Sequence, residues 1–278
     1  MLRRRWGCGL WRIRPRFAHR RESSKNKKKM HITKRDLICF MRLCVDSLPT
    51  QIRNSYWLFW CARQIFELPD SLFRFRNKYD SGEIRNLAIF YEGTSKNCLP
   101  HVSGNTDINS HHIRLIKSLY LKHMPASIID VGCGSGYMME YLQQVDQECR
   151  MIGIDYNIPK KELLMNGKNT YLNTEIGKYI SDLPSKSHDF VLCTHVLEHI
   201  ERPENALREL RRICSRKLII ICPLEKKFKW GMNYHITFFP KISLFLKFLH
   251  QDFIKENTTI PKHIVSEYLG DAIYTETI

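Results

Sequence analysis

The chain lacks several features that would have assigned it quickly. None of its ten cysteines forms a C-x-x-C pair, so a structural zinc site has no ligand spacing to build on. No apolar run approaches the roughly 18–20 residues of a membrane-crossing helix. The most apolar stretches, "KLIIICPL" and "ISLFLKFL", are far shorter. No continuous apolar core follows the N-terminal charges, which argues against a secretory signal. There is no internal repeat. Acids are nearly missing from residues 1–30, where Glu22 stands alone against twelve Lys and Arg.

That imbalance localises the charge. The formal net charge is +16 over 278 residues. Residues 1–30 carry eleven of these charges, and the remaining 248 residues carry five. The basic character therefore belongs to an arm rather than to the folded body. Three readings of the arm stay open. It is an organelle transit peptide, which would place the protein in mitochondria. It is a disordered basic arm for nucleic acid or anionic lipid. Or it is an upstream extension before Met30. Several cysteines sit inside apolar runs, as small core residues do, and fit a reducing, cytoplasmic compartment.

What is present divides the chain into three. Residues 31–107 follow the arm as a helical appendage. "DLICFMRLCVDSL" and "SYWLFWCARQIFEL" have helix-like apolar spacing, punctuated by Pro49 and Pro69. The aromatics Tyr56, Trp57, Phe59 and Trp60 suit either a membrane-surface or lid feature, or a helix packed on the main domain. Residues 93–110 read as a loop. From residue 108 to 278, strand and helix patterns alternate. They begin with the amphipathic "HHIRLIKSLYLKHM", for which Ser110 is the expected N-cap, and continue past "PKKELLMNG", read as a helix. "AIYTETI" reads as a last strand. The pattern predicts an α/β fold with a doubly wound, mostly parallel sheet.

The most informative stretch is "SIIDVGCGSGYMMEYL", Ser127 to Leu142. Gly132, Gly134 and Gly136 lie between a buried strand and a helix, where ligands sit in such sheets. A dinucleotide fingerprint needs its third glycine at position 137, and that residue is Tyr. A mononucleoside-like ligand is implied instead. Asp155, 23 residues beyond Gly132, ends the second strand, where an acid accepts hydrogen bonds from ribose hydroxyls.

With "MIGIDYN", "HDFVLCTHVLEHIERPENALRELRRI" and "LIIICP", this stretch resembles the successive motifs of class I S-adenosylmethionine-dependent methyltransferases. The resemblance covers about residues 108–250 and is closest to the branch that includes ubiquinone-biosynthesis O-methyltransferases. It implies a seven-stranded, Rossmann-like sheet and S-adenosylmethionine as cofactor. It implies that Asp130, Gly132, Cys133, Gly134 and Gly136 line the methionine part, that Asp155 holds the ribose, and that Tyr156 lies near the adenine. Cys193 and Thr194 would flank the methyl-donor end. The acid that often follows the third strand is missing, and Glu175 and Asp182 are its possible substitutes.

Chemistry beyond cofactor binding centres on "CTHVLEHI". His195 and His199 are the candidate catalytic residues. Their i, i+4 spacing would stack the imidazoles on one helix face. No metal is expected, though Glu198 and the distant His235 are weak candidate ligands. The plain alternative is a polar helix start. His111 and His112, the pair Glu204 and Arg208, and Arg211, Arg212 and Arg216 read as solvated faces. The expected activity is methyl transfer to a small or lipid-linked acceptor. An RNA methyltransferase using the basic arm and a non-catalytic protein of the same fold are the alternatives.

Overall fold

The computed structural model describes residues 34–66, 69–87, 89–91, 108–156, 158, 169–230 and 233–278. The basic arm, the helix expected over 159–167 and most of the 93–110 loop lie outside these residues.

Four helices open the described chain: α1 (Lys34–Ser47), α2 (Thr50–Arg53), α3 (Tyr56–Phe66) and α4 (Asp70–Asp80). Pro49 and Pro69 occupy the N-cap positions of α2 and α4, where a missing N–H costs nothing. α5 (Ser110–His123) then leads into β1 (Ser127–Val131), α6 (Tyr137–Gln143), β2 (Arg150–Asp155), β3 (Thr170–Asn173) and α7 (Ile176–Asp182). β4 (His188–Thr194), a 3₁₀ turn (Leu197–His199), α8 (Pro203–Ile213), β5 (Cys214–Pro223), α9 (Ile242–Lys255), β6 (His263–Tyr268) and β7 (Asp271–Thr277) complete the order.

The seven strands form one sheet in the order β3-β2-β1-β4-β5-β7-β6. Pairing is parallel from β3 to β5, and β7 runs antiparallel to both β5 and β6. The expected fold class is therefore observed. Central strands are buried on both faces, as parallel strands between helix layers must be. Alternate residues divide between two cores. Ile129, Val131, Val191 and Cys193 face one, with α7, α8 and α9. Ile128, Phe190 and Leu192 face the other, with α5 and α6.

β6 is absent from the sequence reading. Its residues alternate between half-buried and exposed, so they show no apolar stripe. The turn Leu269–Gly270, both residues with positive φ, closes it onto β7 as a two-residue hairpin. α1 packs over this turn, and a Cβ on Gly270 would meet Leu43 Cδ2 at 2.8 Å. Asn109, not Ser110, caps α5, because its side-chain oxygen accepts from the backbone N–H of His111 and His112.

Arg211 and Arg212 are half-buried and committed internally, contrary to the solvated reading, whereas Arg208 and Arg216 stay exposed. Arg211 forks onto buried Glu276, with Nη2 2.7 Å from Oε2. Arg212 donates to the Leu183 and Ile180 carbonyls at the end of α7. Arg216 reaches Asp189 and the His123 carbonyl. Arg208 pairs with Asp252 at 3.0 Å rather than with Glu204.

Candidate active site

The strand order reverses between β1 and β4, which opens a crevice above their carboxyl ends. The glycine turn hangs at this point. Gly132, Gly134 and Gly136 all have positive φ, a region that L side chains avoid. Their surroundings differ. A Cβ on Gly132 would collide with the Val196 side chain, and one on Gly136 would lie 2.5 Å from the Tyr171 ring. A Cβ on Gly134 would meet nothing within 4 Å. The outer glycines thus serve packing, and Gly134 alone presents bare backbone to open space. Its N–H donates to Asp155 Oδ2 at 2.9 Å, joining the tip of β2 to the turn. Tyr156 follows directly.

Asp130 lies beneath, 2% exposed, and its Oδ1 has no hydrogen-bond partner among the described residues. Burial, with the nearby Asp155 charge, raises its pKa to about 7. An orphaned buried carboxylate beside a glycine turn suits a cationic group on the ligand. Beyond β3, Glu175 stands at the N-cap of α7 and Asp182 at the last turn. Only Glu175 is therefore next to the strand's carboxyl end, where Asn173 pairs with Asp155.

Cys193 and Thr194 end β4, both buried. Burial pushes the Cys193 thiol well up, so it remains a neutral packing group rather than a nucleophile. The chain then turns sharply. His195 has a φ of +56°, and its N–H donates to the Ile221 carbonyl. The expected stacking of His195 and His199 on one helix does not occur, because only Leu197–His199 is helical, as a 3₁₀ turn. The two rings enter different neighbourhoods with Glu198 between them.

His195 turns inward, its side chain 6% exposed. Nδ1 lies 3.3 Å from Glu198 Oε1, and Nε2 lies 3.9 Å from Asp271 Oδ2. Asp271 also receives Arg42 of α1 at 2.6 Å and stands 4.0 Å from His112 Nδ1. His112 is therefore fully buried, not solvated. Its tautomer follows from Asn109. The Asn109 oxygen is taken by two backbone N–H groups, so its NH₂ faces His112 Nε2 at 3.3 Å. Nε2 accepts, the ring proton sits on Nδ1, and that nitrogen has no lone pair for a metal. His112, His195 and Asp271 cluster tightly enough for an ion, but His112's protonated nitrogen makes them a polar tie between α5, β4 and β7.

His199 faces the other way. Its Nδ1 lies 3.1 Å from the Tyr234 carbonyl and 3.3 Å from Tyr91 Oη. Its ring packs edge-on against His235, with centroids 4.8 Å apart. His235 Nδ1 lies 2.6 Å from buried Glu225 Oε1. Ligand atoms of Glu198, His199 and His235 all fall within 4.8 Å of one another. Burial alone would raise Glu198, but His195, then His199 and His235, hold it down at about 2. Among described residues, Asp271, Glu225, His112 and Tyr91 stand around these histidines, and the sequence did not place them there. The position of Glu225, just past the end of β5, was the one usable signal.

Comparison with known proteins agrees with this geometry. Residues 129–222 match the family model described as a methyltransferase domain. Over 139 residues the chain is 30% identical to the mitochondrial ubiquinone biosynthesis O-methyltransferase of Saccharomyces cerevisiae, covering 45% of this chain and 42% of that one. Over 102 residues it is 26% identical to ajmaline N-methyltransferase of Rauvolfia serpentina, covering 35% of each. The chain thus spans about two fifths or less of the length of these curated relatives. A putative O-methyltransferase structure from Nostoc punctiforme shares the fold, with a TM-score of 0.51 at 11% identity, covering 91% of this chain and 74% of that one. Residues 129–222 thus match a methyltransferase domain, and the seven-stranded sheet that holds them has the Rossmann-like methyltransferase fold.

Proposed function

We propose that the protein transfers a methyl group to an oxygen or nitrogen of a small or lipid-linked acceptor by in-line displacement. The observation that carries this reading is the pairing of open space at Gly134 with the Asp155 carboxylate 2.9 Å from its N–H. When bound, S-adenosylmethionine supplies a methyl group already activated by its sulfonium charge. The chain has to bind, orient and remove a proton. In this reading Asp155 holds the ribose hydroxyls. Asp130, with Gly132, Cys133, Gly134 and Gly136, surrounds the cationic methionine end, and Tyr156 borders the adenine. Cys193 and Thr194 wall the donor end.

Of the two histidines, His199 suits proton removal, and His195 suits positioning. His195 is enclosed by Glu198 and Asp271, whereas His199 lies at the half-buried rim with Tyr91 and Tyr234. In place of that role for His199, a divalent ion fits the Glu198, His199 and His235 set. Each Nδ1 faces an oxygen acceptor, which directs ligation to Nε2. Two imidazoles and one carboxylate favour a transition-series ion over Mg²⁺. Such an ion would lower the pKa of an acceptor hydroxyl.

RNA as acceptor has weaker support, since Arg211 and Arg212 are engaged within the fold. The deciding experiment transfers a labelled methyl group to lipid, small-molecule, RNA and protein fractions of an extract. Label in the lipid or small-molecule pool that disappears with Asp155→Ala supports the proposal. Label confined to RNA, and lost when residues 1–30 are removed, would replace it. No cofactor binding by calorimetry would favour the non-catalytic reading.

A further inference from the structure

Helix α3 carries apolar residues on two opposite sides. Phe59, 2% exposed, packs inward with Phe73 and Phe228. On the other side Trp57, Trp60, Cys61 and Ile65 follow the i, i+3, i+4, i+8 spacing of a core-facing stripe. They face solvent instead. Trp57 is 69% exposed, Trp60 37% and Ile65 73%, and Cys61 is an exposed free thiol. Ile52 of α2 and Tyr56 extend the apolar area, at 49% and 40% exposed. A helix whose outward face is apolar is expected to be covered by something.

The patch has order and a charged rim. Trp230 stands 5.2 Å from Tyr56, Tyr56 stands 5.8 Å from Trp57, and Trp57 stands 5.9 Å from Trp60, all edge to face. Lys229 caps the end of this ladder, its Nζ 5.5 Å from the Trp230 ring centre. Residues 34–91 carry nine Lys or Arg against six Asp or Glu, and Lys226, Lys227 and Lys229 border them. Indoles beside lysines whose stems lie along apolar surface are the composition of a membrane interface.

We propose that the outer face of α3, with Ile52 and the Lys229–Trp230 rim, docks on an anionic lipid surface. The protein would lie on the surface, since no helix among the described residues is long and apolar enough to cross it. Residues 34–91 carry a net excess of three positive charges, and Lys226, Lys227 and Lys229 beside them add to it, which opposes the docking of a second copy and favours an anionic partner. Aliphatic Ile52 and Ile65 add burial that stacking on nucleobases would not use. The surface is tied to the reaction side of the fold. Arg76 of α4, buried between Phe228 and Phe238, donates to the Phe228 carbonyl at 2.7 Å and to Asn233 at 2.8 Å. Arg76 thus ties Phe228, near Trp230, to Asn233, near His235, so docking would hold the acceptor side near the lipid. The docking itself does not depend on the transfer reading.

The test is co-sedimentation of the full chain with phosphatidylcholine vesicles and with vesicles that also contain phosphatidylglycerol, followed by tryptophan emission. Trp57→Ser/Trp60→Ser is the main variant, and both residues are exposed enough to leave the fold intact, as an unchanged thermal melt would verify. Removal of residues 1–30 is the second variant. The full chain should bind the anionic vesicles with a blue shift in emission. The double substitution should weaken binding at least about tenfold, by lost apolar burial. The arm deletion should leave a binding component that the double substitution removes. The proposal fails if the full chain ignores both vesicle types or if the double variant binds like the parent. It also fails if the substitutions instead break a dimer or abolish nucleic-acid binding.

Discussion

His235 Nδ1 lies 2.6 Å from Glu225 Oε1, a carboxylate that is 1% exposed. Burial alone would raise Glu225, but His235, Arg42 and Arg76 draw its pKa below the ordinary range. The carboxylate therefore holds the imidazole proton on Nδ1 and turns Nε2 to the site.

Glu225→Gln keeps the shape of the side chain but removes the charge that enforces this tautomer. Methyl transfer should fall about 10–100-fold, with little change in cofactor affinity because the glycine turn is untouched. Steady-state rates beside a calorimetric titration would show it. Equal rates would remove Glu225 from the mechanism.

Asp155→Ala deletes both the acceptor of the Gly134 N–H and the proposed ribose acceptor. Affinity for S-adenosylmethionine should weaken by about 1.5–3 kcal/mol. Unchanged affinity would place the ribose elsewhere.

The glycines should separate into two kinds. Gly136→Ala puts a methyl group 2.5 Å from the Tyr171 ring at a φ of +78°. It should lower the melting temperature clearly. Gly134→Ala meets no protein atom and carries only the left-handed strain of about 1–2 kcal/mol, yet it fills the approach proposed for the ligand. Its melt should shift less, while cofactor binding should drop more. The reverse ranking would mean that Gly134 is structural.

Asp130 gives a pH signature. Its pKa is raised in the fold from 3.8 to about 7, so its stabilising protonated form is fully present below pH 3.8 and is lost as pH rises through about 7. A cationic ligand end favours the carboxylate. Binding should therefore release up to about one proton at pH 6 and almost none at pH 8.5, and it should tighten between these values. Calorimetry in buffers of different ionisation enthalpy measures the release. Asp130→Asn should abolish it, and no release in the parent would separate Asp130 from the ligand.

Much of the fold was legible because its signals are local. An apolar run bounded by Gly or Pro and a helical repeat are each read within a window of about 11–18 residues. The glycine turn and Asp155 share a single βαβ unit. β6 was not legible, since a half-exposed edge strand carries no apolar stripe. The helical N-terminal region was also legible, but the side of α3 that faces out was not. That side is decided by Phe59 finding Phe73 and Phe228, and Phe228 lies far along the chain.

The sequence by itself determined most of the sheet, the place of the glycine turn and the acid that faces it, because backbone conformation and periodic burial are properties of neighbouring residues. Tertiary structure alone decided where each histidine points. It turned His195 toward Asp271 and His112, and His199 toward His235 and Tyr91. It also seated Arg42 on Asp271 across 229 positions of chain. Such pairings are set by how strand ends converge above the sheet, and spacing along the chain carries no record of that.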